Sequence, residues 1–285
     1  MNVTVEISDD RYARFRRQAE ACRLTADHLL LKLAKRHTPE SSDEVPRAKE
    51  CVKSVAQLAE LVERLFKDDE ETTVLYRGHG AASFKLLPKI GRCKPNKNSK
   101  GDVANERLML DLFRNQVADR PGIPAVNNWE LLAIARHHGL PTRLLDWTRN
   151  PLVALYFSVC KEFECRDGLP LREDAQILAW RTGKKNLGKQ PPEFDPLKFM
   201  GEEVERYIPR VVTPRLRAQS GVFTWHRYPW KEFKIEEGLT RIRVPRVNRK
   251  KLEHSLFQLG IHEAALFPDL DGLARHIEWL QTKSH

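Results

Sequence analysis

The chain opens with Val3, Val5 and Ile7 alternating against Asn2, Thr4 and Glu6, the period-two pattern of a half-buried strand. A helix is expected to follow at once: Ser8 is a good N-cap, Asp9 and Asp10 lie where the positive end of the helix dipole favours them, and Tyr12, Phe15, Ala19 and Cys22 form one apolar stripe. Thr25 can cap a second helix whose buried face is Leu29, Leu30, Leu33 and Ala34. A strand and two helices within residues 1–37 cannot cover these faces alone, so the segment predicts a homodimer. Residues 38–50, TPESSDEVPRAKE, carry Ser, Pro and charge without apolar period and read as a linker.

The main domain is expected over residues 51–285. Val55, Leu58, Ala59, Val62 and Phe66 share a helical face, and Thr72 to Tyr76 is a short apolar strand running into Arg77 and Gly78. Further helices are predicted over 106–117, from Trp129 to a stop at Gly139 and Pro141, and over 151–163, 248–259 and 271–281, with Asn150 and Asp271 as caps. Strands are predicted over 143–147, 176–181, 207–212, 222–228 and 240–244. Strands and helices mix without a regular βαβ alternation, so the fold class is α+β, a mixed or antiparallel sheet core flanked by helices.

Composition narrows the function classes. Of 285 residues, 41% are hydrophobic, and 49 Lys and Arg against 39 Asp and Glu give a formal charge of +10, which favours anionic partners. The absence of an apolar run of about 18–20 residues and of a signal-peptide pattern argues for a cytoplasmic protein without a membrane span. The five cysteines are scattered, with no CxxC pair or zinc spacing, so no metal is expected. Residues 85–100 read as an exposed basic loop. Arg241, Arg243, Arg246, Arg249, Lys250 and Lys251 form a second basic run, near Trp225, Tyr228 and Trp230, that suits nucleic acid. Asp269 and Asp271 fit a metal-dependent nuclease less well than a turn and helix cap.

Three segments hold polar groups that local structure does not explain. In Tyr76-Arg77-Gly78-His79-Gly80 a strand ends in a guanidinium, and glycine would let a ligand near the backbone. Residues 135–159 join helix, strand and helix through His137, His138, Thr142, Arg143, Asp146, Trp147 and Thr148, with a helix N-terminus able to receive an anion. Arg143 with Asp146 could equally be an internal ion pair, and the histidines could be dipole-satisfying cations. In residues 213–226, Gln219 and Gly221 precede an aromatic strand. The amide could bind a ribose hydroxyl or tie down a turn.

Residues 1–37 resemble the ribbon-helix-helix family, in which paired strands enter the DNA major groove; that resemblance makes Asn2, Thr4 and Glu6 base-facing. Tyr76-Arg77-Gly78, the His-Gly-Leu-Pro-Thr-Arg-Leu-Leu-Asp-Trp-Thr run ending at Thr148, the Pro-Arg and Gln-x-Gly-Val-Phe pattern at Pro214 to Phe223, and Leu266 to Ile277 resemble the FRG-domain family in order over residues 51–285. A fainter similarity is to ADP-ribosyltransferases of the arginine-serine-glutamate type, as seen in bacterial toxins and defence effectors. It implies NAD as substrate. Arg77 would neutralise the pyrophosphate, Thr148 would hold the nicotinamide ribose, Gln219 would touch the acceptor, and His137 or His79 would orient ribose hydroxyls. Tyr76, Gly78, Arg143, Asp146 and Trp147 would line the cofactor. Arg77 and Thr148 are then expected to face each other across one hollow. The similarity breaks at Gly221, where that family has glutamate; Glu263 is the replacement to look for. The alternative is a nucleotide- or DNA-binding regulatory module without chemistry, for which Arg241, Arg243 and Arg246 join Asn2 and Thr4.

Overall fold

A computed structural model describes residues 48–66, 73–93, 105–117, 127–160, 165–166, 169–170, 173–182, 193–198, 203–209 and 213–282. The ribbon-helix-helix-like segment, with Asn2, Thr4 and Glu6, lies outside them, as does most of the linker. The α+β expectation fits the architecture. Strands β1 (Glu50–Cys51), β2 (Thr73–His79), β3 (Leu144–Thr148), β6 (Ala175–Thr182), β7 (Val204–Tyr207), β8 (Gly221–His226) and β9 (Leu239–Val244) form one seven-stranded sheet, in the order β1-β9-β6-β2-β3-β8-β7. The two-residue strands β4 (Cys165–Arg166) and β5 (Leu169–Pro170) pair separately. Within the large sheet β1 runs parallel to β9 and every other pairing is antiparallel.

The helices are α1 (Val55–Phe66), α2 (Glu106–Val117), α3 (Asn128–His137), α4 (Pro151–Val159), α5 (Pro214–Ala218), α6 (Arg249–Gln258), α7 (Glu263–Leu266) and α8 (Leu270–Thr282). Their caps follow local chemistry. Asn127, Asn150 and Thr213 each accept a backbone N–H of the first turn, and Pro151 and Pro214 occupy positions where a missing N–H costs nothing. Gly139, at φ +85°, ends the chain's run after α3 in the left-handed conformation that glycine adopts freely.

One face of the sheet is covered by helices. Leu58 and Leu61 of α1, Val153 and Tyr156 of α4, and Leu252 and Leu256 of α6 pack on Tyr76, Ile177 and Ile242. Alongside, α3 packs Trp129, Leu131 and Leu132 on Leu144, Phe223 and Trp225. The other face carries Leu75, Leu145, Trp147, Leu178 and Val222, roofed by Leu86 and by Phe233 and Ile235.

Several features differ from the sequence reading; the strand expected over 222–228, for one, is Gly221–His226. The strand expected over 207–212 is Val204–Tyr207, because Tyr207 is its last inward residue, stacked near Phe223, and 208–209 have left the ladder. The helix from Pro151 ends at Val159 rather than 163. Asp269, not Asp271, caps α8 by accepting the Gly272 N–H at 2.7 Å. The described part of the 85–100 loop is anchored rather than free, with Leu86 and Ile90 buried and Lys89 Nζ donating to the Gly139 carbonyl at 2.6 Å.

Candidate functional site

The site grows from a fault in the middle of the sheet. Strand β2 pairs with β6 over seven residues and β3 pairs with β8 over five, yet between β2 and β3 the register holds one pair, Tyr76 with Thr148. Past that pair the strands part. Arg77 bridges the opening: its Nη1 donates to the Asp146 carbonyl at 2.5 Å, supplying the donor that an unbroken ladder would have drawn from β2. Its Nε donates to His79 Nε2 at 3.1 Å.

The Asp146 carboxylate is gripped by Arg136 from the last turn of α3, through Nε at 3.1 Å to each oxygen and through Nη2 to Oδ2. Arg77 Nη1 lies 3.9 Å from Oδ2. Two guanidinium groups therefore share one carboxylate, whose side chain remains 42% exposed while each arginine side chain is 16% exposed. Burial would raise the Asp146 carboxyl, but Arg136 and then Arg77 hold it below its ordinary value. Arg77 is lowered to about 10 by desolvation, opposed by Asp146 and reinforced by Arg136 and Arg92.

The other two singled-out segments arrive at the same place. His137, at the end of α3, meets Thr213 Oγ1 through Nδ1 at 3.1 Å, and its carbonyl accepts from Arg215 Nη1 at 3.2 Å. Desolvation, then His138 and Arg215, lower His137 to about 4, so it is neutral rather than the cation its position near a helix C-terminus suggested. Thr148 Oγ1 donates to the Gln219 carbonyl at 2.6 Å and accepts from Asn150 N at 3.0 Å. Gln219 Nε2 in turn donates to the Leu266 carbonyl at 3.1 Å, which brings α7 beside the segment.

Convergence does not put every expected residue in the opening. Thr148 Oγ1 is committed to the Gln219 carbonyl and the Asn150 N–H, and Arg77 to Asp146 and His79, so no hydrogen bond joins Arg77 to Thr148. Tyr76 is core, 4% exposed, its hydroxyl pushed up to about 12 by burial. Gly78 serves α4 rather than a ligand: a Cβ there would stand 2.0 Å from the Ala154 carbonyl oxygen. Arg143 is paired not with Asp146 but with Glu106, which also accepts its backbone N–H. Trp147 is buried and donates to Thr224 Oγ1 at 3.0 Å. His79 is buried beneath the opening, and desolvation followed by Arg77, Arg241 and Arg92 lowers it well below its usual value.

The basic run over 241–251 does not form one cationic face. Arg243 pairs with Asp174 at 2.9 Å, the Arg246 backbone N–H donates to the same carboxylate, Arg241 reaches Gln176 at 3.4 Å, and Arg249 is buried with bonds to the Gly80 and Glu173 carbonyls. Glu263 hydrogen-bonds the Tyr156 hydroxyl and pairs with Arg275 at 2.7 Å, so it is committed elsewhere. Among the described residues no group of three or more His, Cys, Asp or Glu could hold a metal ion, and no helix is long and apolar enough to cross a membrane.

Sequence reasoning missed Arg136 and Arg215. Each lies in a last helical turn, where a cation is expected for the helix dipole, and only the fold shows Arg136 gripping Asp146 and Arg215 bonded to the His137 carbonyl over the Phe267 ring.

The Tyr76-Arg77-Gly78 segment of β2, the split beside it and the Asp146-Trp147-Thr148 segment of β3 lie together on adjacent strands. Residues 72–166 match the FRG domain. The match takes in β2 through α4, about one third of the chain, and includes Arg77, Arg136, His137 and Asp146. The stretches around Gln219 and Leu266 lie outside it while packing on the FRG segment through Thr148 and α5. No curated protein and no solved structure matches the chain.

Proposed function

We propose that the junction of Arg77, Asp146 and Arg136 binds the phosphates of a nucleotide such as ADP-ribose or NAD and holds it without turnover. The observation that carries this reading is the sharing of one half-open carboxylate by two guanidinium groups. An incoming pyrophosphate can take over donors from Asp146 and gain charge-assisted, forked hydrogen bonds. The surrounding field favours it. Arg77 feels Arg136 and Arg92, and Arg215 feels Arg136 and Arg275, so cations outnumber the two carboxylates, Asp146 and Asp269, that act on them.

Turnover asks for more than binding. Cleaving the nicotinamide bond develops positive charge on the ribose, which a carboxylate must meet. Thr148 and Gln219 are spent on internal hydrogen bonds, residue 221 is glycine, and Glu263 is held by Tyr156 and Arg275. The second reading, NAD-dependent ADP-ribosyl transfer or NAD hydrolysis, draws on the meeting of Arg77, His137, Thr148 and Gln219 around β3, and requires Glu263 to be released.

Calorimetric titration with ADP-ribose and NAD, alongside a nicotinamide-release assay, tests both. The expected result is saturable binding of ADP-ribose, weakened roughly 10- to 100-fold by Arg77→Lys or Arg136→Ala, as loss of one or two charge-assisted hydrogen bonds implies. NAD should remain intact. Nicotinamide release that Arg77→Lys abolishes would establish the second reading instead. Absence of ADP-ribose binding to the folded wild type would overturn both.

A further inference from the structure

Helix α5 is fixed at both ends. At its start Thr213 Oγ1 meets His137 Nδ1 at 3.1 Å while accepting the Leu216 N–H at 3.2 Å, so the cap of α5 rests on the last residue of α3. Just past its end the Gln219 carbonyl accepts from Thr148 Oγ1 at 2.6 Å and Gln219 Nε2 donates to the Leu266 carbonyl at 3.1 Å, which ties it to β3 and α7. A five-residue helix anchored at these points has little freedom to turn, and the direction of Arg215 is set with it.

Two further contacts hold the guanidinium itself. Arg215 Nη1 donates to the His137 carbonyl at 3.2 Å, and Cζ stands 4.3 Å from the centre of the Phe267 ring. Stacking covers a face of the guanidinium and leaves its N–H edges in the plane, where an acceptor can meet them. The group carries several donors, and among the described residues the His137 carbonyl is the one acceptor bonded to them. Arg275, on the same ring at 5.5 Å, is paired with Glu263 at 2.7 Å. Arg215 differs: among the described residues no carboxylate reaches ion-pair distance of it.

Position gives this cation a use. His137 follows Arg136 in the chain, so Arg215 stands at the same end of α3 as the guanidinium that grips Asp146. Desolvation lowers Arg215 below its ordinary value; Asp146 and Asp269 oppose that from a distance, and Arg136 and Arg275 add to it. Its bond to His137 offsets the negative end of α3, which would otherwise repel an anion. Arg77 and Arg136 are both bonded to Asp146, and two forks suffice for the oxygens of one phosphate. A third fork, held one residue further along α3 and paired with no carboxylate, suits a second anionic group beside the first.

We propose that Arg215 selects diphosphates over monophosphates at the Arg77 junction, receiving the second phosphate while Arg77 and Arg136 hold the first. This rests on the nucleotide-binding reading and narrows its ligand class to nucleotides with a phosphate–phosphate link.

ADP and AMP differ by that one phosphate. Titrated by calorimetry against the full chain without divalent metal, ADP should bind about 10-fold more tightly than AMP, the scale of one added charge-assisted hydrogen bond. Arg215→Gln, confirmed folded by circular dichroism, should weaken ADP until the two affinities lie within about 2-fold of each other. Arg217→Gln removes the same charge from an exposed position of α5 and should keep the wild-type preference. Should Arg215→Gln fail to fold, Arg215→Lys, which retains the charge and loses the fork, is read in its place and should narrow the preference several-fold. A wild type that binds both nucleotides alike, a preference that survives these Arg215 variants, or one that Arg217→Gln narrows as much, would overturn the proposal and leave the junction reading standing. Binding of neither nucleotide nor ADP-ribose to the folded wild type would overturn the junction reading and this inference with it.

Discussion

Arg143 presents both its backbone N–H and its guanidinium Nε to the carboxylate of Glu106, each at 2.6 Å, with the two side chains 4% and 7% exposed. This ion pair ties α2 to the start of β3. Removing one member leaves the other charged and buried, so Arg143→Met alone should destabilise the fold by about 3–5 kcal/mol. Adding Glu106→Gln keeps an amide oxygen for the Arg143-position N–H while removing the orphan charge. The double variant should therefore be more stable than Arg143→Met, as urea denaturation would reveal.

Gly78 lets α4 lie against β2, and its replacement by alanine would drive a methyl into the Ala154 carbonyl. Backbone oxygen on a packed helix cannot step aside as a flexible side chain can. Gly78→Ala should cost at least about 1–3 kcal/mol, the usual scale of overpacking. Loss of stability together with weaker ADP-ribose binding is expected, since α4 follows directly from Thr148. Full stability in denaturation would show that α4 does not dock as described.

His226 gives a pH signature. It is 2% exposed, and desolvation, then Arg77 and Arg143, lower it to about 3. In the unfolded chain it protonates near 6.5, so between these values the unfolded state binds the extra proton. Its contribution is intact above about pH 6.5 and is lost progressively as pH falls toward 3. His226→Gln should flatten the stability profile over that window; an unchanged slope would place the dependence elsewhere.

Asp146 titrates with the same sign but a smaller effect. Its carboxyl is held low in the folded state, so the pairing stabilises above pH ~4 and is lost as acid protonates it. With the side chain 42% exposed, solvent screening limits the effect to about 1 kcal/mol. Asp146→Asn should be less stable than wild type at pH 7, and the difference should shrink steadily as pH falls below ~4.

Periodicity and capping made much of this fold legible. The apolar stripe of Val55 to Phe66 and the bounds of 106–117 coincide with α1 and α2, and Asn150-Pro151 marks the start of α4. What periodicity cannot supply is partnership. Sequence proximity offered Asp146 to Arg143, but Asp146 belongs to Arg136, ten residues away on the neighbouring helix, and Arg143 pairs with the distant Glu106. Likewise Gly78 looked like a place for a ligand because the chain gives no sign that a helix 76 residues later would press on it. The short helices α5 and α7 lack the two turns over which an amphipathic period becomes visible. The sheet's central split is equally silent, since a lost ladder leaves no mark on composition.

Strand β1 enters the sheet beside β9, four strand positions from β3. At the usual strand spacing of about 4.8 Å, cargo attached ahead of Glu50 joins the body roughly 19 Å sideways from Asp146. A fluorophore, affinity handle or fused domain grafted there has a route away from the arginine cluster, making that edge a practical anchorage for immobilising the protein with its mouth unobstructed.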